Sequence, residues 1–212
     1  MKIALIGASG FVGSAILDEA VSRGHSITAI VRDTSKVAPH PQITTVAVDA
    51  QDPQALADVL KGHDRVISAY NPGWSAPDIH DQYLKGASAI VEAAKAAHSW
   101  LLVVGGAGSL EIAPGVQLVD TPDFPAEWKQ GALAARDGLT ALRREAALDW
   151  RFVSPPVFLE PGEKRGGYRL GGDQVLFSGD KPAGITVGDL ADGVLNEAET
   201  PAHLRQRFTL GY

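Results

Sequence analysis

Apolar positions along this chain follow two alternating patterns. Short, nearly unbroken runs such as Ile3-Ala4-Leu5-Ile6, Val66-Ile67 and Leu101-Leu102-Val103-Val104 have the character of parallel strands buried on both faces. Between them lie longer stretches with apolar residues three or four apart, the period of a helix with one buried face. The runs predict strands near 2–6, 26–31, 43–48, 65–69, 100–104 and 150–153, and helices near 11–23, 53–60, 78–98, 127–148 and 188–199. The helix at 78–98 opens at Pro77-Asp78 and carries Ile79, Tyr83, Ala87, Ile90, Val91 and Ala94 on one face. A sheet alone accounts for that stripe, so the chain is expected as a monomer or a homodimer. With right-handed crossovers, the β–α alternation gives an α/β fold, a doubly wound parallel sheet.

Two segments interrupt the alternation. Residues 105–126 form a long loop rich in Gly and Pro, and residues 155–184 are irregular, with 166–173 resembling a short hairpin. Each follows the C-terminal end of a predicted strand, where open α/β sheets bind ligands. They are expected to form a small substrate-side appendage on a single domain spanning 1–212.

Composition narrows the field. A chain of 212 residues, 45% hydrophobic, suits one domain with an ample core. A net charge of −6 without a basic cluster argues against nucleic acid as partner. The chain has no cysteine, which excludes disulfides, thiolate metal sites and Cys nucleophiles. No signal-peptide pattern and no bilayer-length apolar run is visible, so a cytoplasmic protein acting on a small molecule, away from membranes, is expected.

Residues 3–13, IALIGASGFVG, carry the most specific chemistry. A strand runs into Gly7, Gly10 and Gly13, and a helical pattern follows at once. That is how a dinucleotide-binding βαβ unit begins. Gly7 supplies the tight turn, Gly10 lets the main chain approach a pyrophosphate, and Gly13 lets helix pack close to strand. Ala8, Ser9, Phe11 and Val12 complete the cradle, and the helix N-terminus offers free N–H groups to phosphate. The Gly-x-x-Gly-x-x-Gly spacing is typical of extended and atypical short-chain dehydrogenases.

The second strand ends in Arg32, where NAD-selective sites usually place an acid on the ribose 2′-hydroxyl. A guanidinium pairs well with a 2′-phosphate, and Lys36 follows, so NADP(H) is preferred and NAD(H) remains possible. Arg32 can equally be a solvated loop charge, with Asp33 serving the ribose. Asp49 and Ala50 end the third strand and face the adenine, unless Asp49 is only a turn cap. Ala69, Tyr70 and Asn71 leave the fourth strand beside the ribose and phosphates, unless Tyr70 packs beneath the loop.

Ordinary short-chain dehydrogenase chemistry is missing. None of the four tyrosines has a lysine four residues on: Tyr70 is followed by Trp74, Tyr83 by Ala87 and Tyr168 by Gly172, and Tyr212 is last. There is no nucleophile elbow and no Gly-Lys-Ser/Thr P-loop, and the six histidines lack metal spacing; His80 reads as a helix-surface residue. A flavin or quinone makes sense of this absence. Such acceptors take hydride directly, leaving the protein to stack two rings. Gly105, Gly106, Pro155 and Pro156 are candidate walls of the coenzyme site, and Val157 and Phe158 of the acceptor site. Ser109 is the candidate catalytic hydroxyl, facing the carboxamide or the acceptor, with a loop cap as its alternative role.

With these residues in view, the chain resembles the NADH-flavin reductase family of atypical short-chain dehydrogenases, with a Rossmann fold. The similarity spans nearly the whole chain. Its most specific pieces are LIGASGFVG at 5–13, VVGGAGSLEIAPGVQLVDTPDFPAEWK at 103–129, LDWRFVSPPVFLEPGEKRGGYRLGGDQ at 148–174 and RQRFTLGY at 205–212. The resemblance implies hydride transfer from NAD(P)H to free flavin. More distantly the chain is similar to biliverdin-IXβ reductase, where the strand-two ending, like Val31 to Lys36 here, handles the 2′-phosphate. A serine of that relative falls on or beside Gly108, next to Ser109, and its histidine after Pro-Pro is Val157 here, which separates this chain from biliverdin reduction. The other class compatible with these residues is an NmrA-like redox sensor, which binds dinucleotide and signals through a partner without turnover.

Overall fold

Each apolar run becomes a strand, and the order of pairing sets where a ligand can lie. The computed structural model describes residues 1–212. Strands β1 (Lys2–Ile6), β2 (Ser26–Val31), β3 (Ile43–Ala47), β4 (Arg65–Ser68), β5 (Trp100–Val104), β6 (Asp149–Ser154), β7 (Arg169–Gly171) and β8 (Arg207–Gly211) form one sheet in the order β7-β8-β6-β5-β4-β1-β2-β3. All neighbours pair parallel except β7, which runs antiparallel to β8 at one edge. The chain winds outward from β1 to β3, then crosses back to β4 and continues the other way. This Rossmann order reverses between β1 and β4, which opens a crevice at their C-terminal ends.

Helices cover both faces. On one, α1 (Phe11–Ser22) and α5 (Val187–Glu199) bury Ile16, Leu17, Leu190 and Val194 against the sheet. On the other, α2 (Pro53–Leu60), α3 (Ile79–Ala96) and α4 (Ala126–Leu142) bury Leu56, Leu60, Ile90 and Leu139. Asp52 caps α2 by accepting the N–H groups of Gln54 and Ala55, at 3.1 and 3.0 Å. Arg23 ties α1 to α5, with Glu19, Asp192 and Glu199 each 2.8 Å away.

The structure corrects the sequence in four places. Helix α4 stops at Leu142, short of the predicted 148, and the Glu145 carbonyl then accepts the Trp150 indole N–H at 3.1 Å as the chain turns into β6. The buried stripe of α3 runs through Ile79, Tyr83, Gly86, Ile90 and Ala93, which leaves Ala87 and Val91 on a shoulder toward α4. The 105–126 segment is folded: it holds a 3₁₀ turn, Ala107–Ser109, and an antiparallel pair, Glu111–Ala113 with Val116–Gln117. Residues 166–173 form no hairpin, because Arg169–Gly171 pairs with β8; the hairpin of this region joins Phe177–Ser178 to Lys181–Pro182.

Strand β8, which no periodicity predicted, lies between β6 and β7 and organises the C-terminal part. Just past it, the Tyr212 hydroxyl donates to the buried Asp189 carboxylate at 2.5 Å. Asp189 also accepts the N–H groups of Arg165 and Gly166, at 3.0 and 2.8 Å. Burial pushes its carboxyl up, but the hydrogen bonds from Tyr212, Gly166, Arg165 and Thr186 outweigh burial and hold it below the usual carboxylate range. One acid thus fastens the loop before β7 to the start of α5.

Candidate functional site

The turn from β1 to α1 is closed by main-chain bonds. Gly7 N–H donates to Ile30 O at 2.9 Å, and Gly10 N–H donates to Gly7 O at 3.0 Å. The three glycines stand in different surroundings. Gly7 has φ +79°, and a Cβ there would lie 2.7 Å from Ala69 O. A Cβ on Gly13 would lie 2.0 Å from Gly7 O. On Gly10 the nearest atom would be Gly7 O at 3.4 Å, so its outer face is open. Gly7 and Gly13 are required by the fold, whereas Gly10 leaves a surface bare.

That surface fronts the N-terminus of α1. No side chain caps this helix, and its first turn holds no acid. The N–H groups of Phe11, Val12 and Gly13 therefore have no acceptor within the helix or from a cap. A bare helix start beside an open glycine is an anion cradle. Ser9 and Phe11 are exposed around it, Val12 is half-buried and Ala8 is buried.

At the end of β2, Arg32 is exposed, and no hydrogen bond or ion pair engages its guanidinium. Asp33 is occupied instead: its carboxylate accepts the Ser35 hydroxyl at 2.6 Å and the Ser35 N–H at 3.0 Å. Those bonds hold its carboxyl below the usual range, and Asp33 caps the 3₁₀ turn Thr34–Lys36. Lys36 is exposed at the end of the same turn. After β3, Asp49 accepts the Gln51 N–H at 3.0 Å, the turn-cap arrangement, and Ala50 is buried.

Tyr70 follows β4, and Ala69 N–H before it donates to Ile6 O at 2.9 Å, joining the two lips of the crevice. The Tyr70 ring turns away toward α3. A Cβ on Gly86 would sit 2.3 Å from it, and its hydroxyl donates to Gln82 O at 3.0 Å. Burial pushes the phenol up, with Asp49 acting in the same sense and Gln51 and Arg32 opposing. Its side chain is a strut; only its main chain borders the crevice. Asn71 closes a turn by accepting the Gly73 N–H at 2.8 Å.

On the far side, Gly105 leaves β5 over the Phe152 ring, where a Cβ would lie 1.9 Å from Cζ. Gly106 is half-buried, Pro155 and Pro156 are buried, Val157 is half-buried and Phe158 is exposed. Ser109 is only 3% exposed, and its hydroxyl accepts a hydrogen bond from Arg207 at 3.1 Å. The same guanidinium donates to the Asp173 carboxylate at 2.7 Å, and Arg143 reaches that carboxylate at 2.8 Å. Glu111 and Asp173 are joined by a main-chain bond of 2.8 Å, so the two irregular segments form one unit. Ser109 sits inside this clamp instead of on the crevice surface.

Two residues absent from the sequence-based set stand at this edge. Trp74 and Trp128 are 61% and 54% exposed. A Cβ on Gly131, one turn beyond Trp128, would lie 2.6 Å from the Trp74 ring, so the loop after β4 rests on the first turns of α4. Large exposed aromatic side chains in two unlike segments were the available signal. Among the tyrosines, Tyr168 donates to Asp192 at 2.6 Å, Tyr212 to Asp189, Tyr70 to Gln82, and Tyr83 is buried between α3 and α4. None stands at the crevice as a proton donor.

Comparison with known proteins adds four findings. The NAD(P)H-binding family matches residues 7–201. The uncharacterized protein YwnB of Bacillus subtilis (strain 168) is 40% identical over 214 residues, covering 99% of this chain and 98% of YwnB. Among solved structures, a putative epimerase of Bacteroides thetaiotaomicron superposes with a TM-score of 0.93 at 40% identity, covering 100% of this chain and 96% of that one. A Streptococcus pneumoniae TIGR4 protein described as a putative NADH-flavin reductase superposes at 0.89 with 38% identity, covering 100% and 99%. No helix of this chain is long and apolar enough to cross a membrane.

Proposed function

This chain belongs to the NAD(P)H-binding family, and on that premise we propose that it is a cytoplasmic reductase that uses NADPH to reduce a free flavin or a similar planar acceptor such as a quinone. The observation that carries this reading is the uncapped start of α1, set beside the open face of Gly10. The residues present fit a dinucleotide. The N–H groups of Phe11, Val12 and Gly13 would donate to the pyrophosphate, and unpaired Arg32 would hold the 2′-phosphate, since Asp33 is engaged by Ser35. When bound, the reduced nicotinamide supplies the hydride. The main chain at Ala69, Gly105 and Gly106, with Pro155 and Pro156, would wall the coenzyme. Trp74 and Trp128 would stack the acceptor's rings and exclude water from the slot. A planar acceptor needs no positioned proton donor, in keeping with four tyrosines engaged or buried elsewhere. The name borne by the Streptococcus pneumoniae relative supports the same acceptor class.

The test is oxidation of NADPH, followed by absorbance, with FMN, FAD, riboflavin and a panel of quinones. Turnover with at least one acceptor is expected, faster with NADPH than with NADH. Trp74→Ala and Trp128→Ala should each raise the acceptor KM about threefold to tenfold, the worth of one aromatic stack, without changing NADPH affinity. Measured NADPH binding with no turnover of any acceptor overturns the proposal in favour of a redox sensor.

A further inference from the structure

Only 2% of the Arg207 side chain is exposed, although it carries a full charge. Burial pulls its pKa below the ordinary value, with Asp173 opposing. Its planar fork joins two segments far apart in the chain. Nε donates to the Asp173 carboxylate at 2.7 Å, one Nη to the Asp173 carbonyl at 3.1 Å and the other to the Ser109 hydroxyl at 3.1 Å. The Asp173 carbonyl also accepts the Glu111 N–H at 2.8 Å, and the Glu111 carbonyl accepts the Val175 N–H at 2.9 Å. Replacing a buried ion pair by well-packed apolar side chains is often neutral for stability. What the guanidinium adds is geometry, since one rigid group fixes three acceptors at once.

Ser109 closes the 3₁₀ turn Ala107–Ser109, and that turn rests on α4. A Cβ on Gly108 would lie 2.8 Å from Ala132 Cβ, and one on Gly106 would lie 3.5 Å from Ala135 Cβ. Trp128, Ala132 and Ala135 follow one another at helical spacing along one row of α4. The turn starts directly after Gly105 and Gly106, the wall assigned to the coenzyme. It therefore spaces that wall from the Trp128 ring. Seated on Ala132 it sets the height of the slot, and Arg207 holds its far end.

We propose that Arg207 is a positioning residue for the electron acceptor: by gripping Ser109 and Asp173 together, it seats the Ala107–Ser109 turn on α4 and fixes the spacing between the coenzyme wall and the Trp128 ring. This rests on the reductase reading of the crevice. Enclosed by Ser109 and Asp173, the guanidinium acts through the turn and not by contact with the acceptor.

The test is steady-state kinetics with FMN, FAD, riboflavin and menadione at saturating NADPH, alongside calorimetric Kd for NADPH. Acceptor KM is independent of the fraction of enzyme that is folded, so it reports on the slot and not on stability. Arg207→Lys keeps the charge and loses the fork. It should raise acceptor KM about threefold to tenfold, the worth of one misplaced aromatic stack, with kcat within about threefold and NADPH Kd within about twofold. In a Trp128→Ala background the same substitution should raise KM by less than about twofold, because the ring it positions is gone. Gly108→Ala pushes the turn from the α4 side. It should show the same split and the same dependence on Trp128, and it serves if Arg207→Lys does not fold. The proposal is overturned if a folded variant keeps the wild-type acceptor KM, if the rise persists in full without Trp128, or if NADPH affinity falls in step. A wild type that binds NADPH and reduces none of these acceptors overturns the reductase reading, and this inference with it.

Discussion

Substituting Gly10 by Ala separates what the fold demands of the first turn from what a nucleotide would demand. The backbone at Gly10 has φ −80°, which alanine adopts freely, and the added Cβ would have only Gly7 O nearby, at 3.4 Å. Alanine reduces unfolded-state entropy, worth about 0.4–1 kcal/mol of stability. It is also a poorer N-cap than glycine, by up to about 1 kcal/mol. These effects oppose one another, so stability should change by less than about 0.5 kcal/mol and Tm by less than about 2 °C. The methyl group nevertheless occupies the one open approach to the N–H groups of Phe11, Val12 and Gly13. Losing a single charge-assisted hydrogen bond costs about 1.5–3 kcal/mol, so Kd for NADPH should rise about tenfold to a hundredfold. Calorimetric titration gives the affinity and thermal unfolding gives the stability. Gly13→Ala is the contrasting control: its Cβ would meet Gly7 O at 2.0 Å, and it should lose about 3 kcal/mol or more of stability. A folded Gly10→Ala protein that binds NADPH as tightly as the wild type refutes the assignment of this turn to phosphate.

Arg32→Ala should weaken NADPH about tenfold or more while leaving NADH within about twofold, since only the 2′-phosphate is lost as a partner; equal losses in paired titrations would remove Arg32 from coenzyme discrimination. Ser109→Ala takes one acceptor from Arg207, which keeps Asp173, so it should cost about 1–2 kcal/mol of stability and leave kcat within about threefold; a hundredfold fall in kcat in a folded protein would restore a chemical role. His80 is held above its ordinary value of 6.5, first by Asp137 on α4 and then by its neighbour Asp81 on α3. A raised native value means that its stabilising pairing is complete below about pH 6.5 and fades as pH rises through that native value. NMR titration of the imidazole should show a midpoint above 6.5 that falls in Asp137→Asn, and a midpoint at or below 6.5 would contradict the pairing.

How far the sequence could be read depended on the range of each interaction. Strands β1, β2, β4, β5 and β6 were legible because their residues are largely buried on both faces, which leaves apolar runs. The edge strand β3 has no buried residue and was legible from its β-branched Ile43, Thr44, Thr45 and Val46. Strand β8 was not, since Arg207 and Thr209 interrupt its run and are buried only through Ser109, Asp173 and the Ser154 carbonyl, all distant in the chain. The glycine turn was legible because its geometry is local. Ser109 read as an available hydroxyl because its partner lies 98 residues away. Tyr70 read as a crevice residue because the cleft opposite Gly86 that receives its ring exists only once α3 packs. Asp33 and Asp49 are held by residues two positions on, and turn chemistry read closely would have assigned both.

The clamp centred on Arg207 also has a consequence for the order of assembly. The nucleotide half of the crevice rests on β1, β2 and β4, all complete within the first third of the chain. The opposite bank takes its shape only after a guanidinium from the final strand slides between β6 and β7 and grips Asp173. As the polypeptide emerges from the ribosome, its phosphate-gripping turn can close long before the rest of the cleft exists. A chain caught at that stage would have the bank that faces the dinucleotide and nothing opposite it, so the acceptor proposed above would have nowhere to sit.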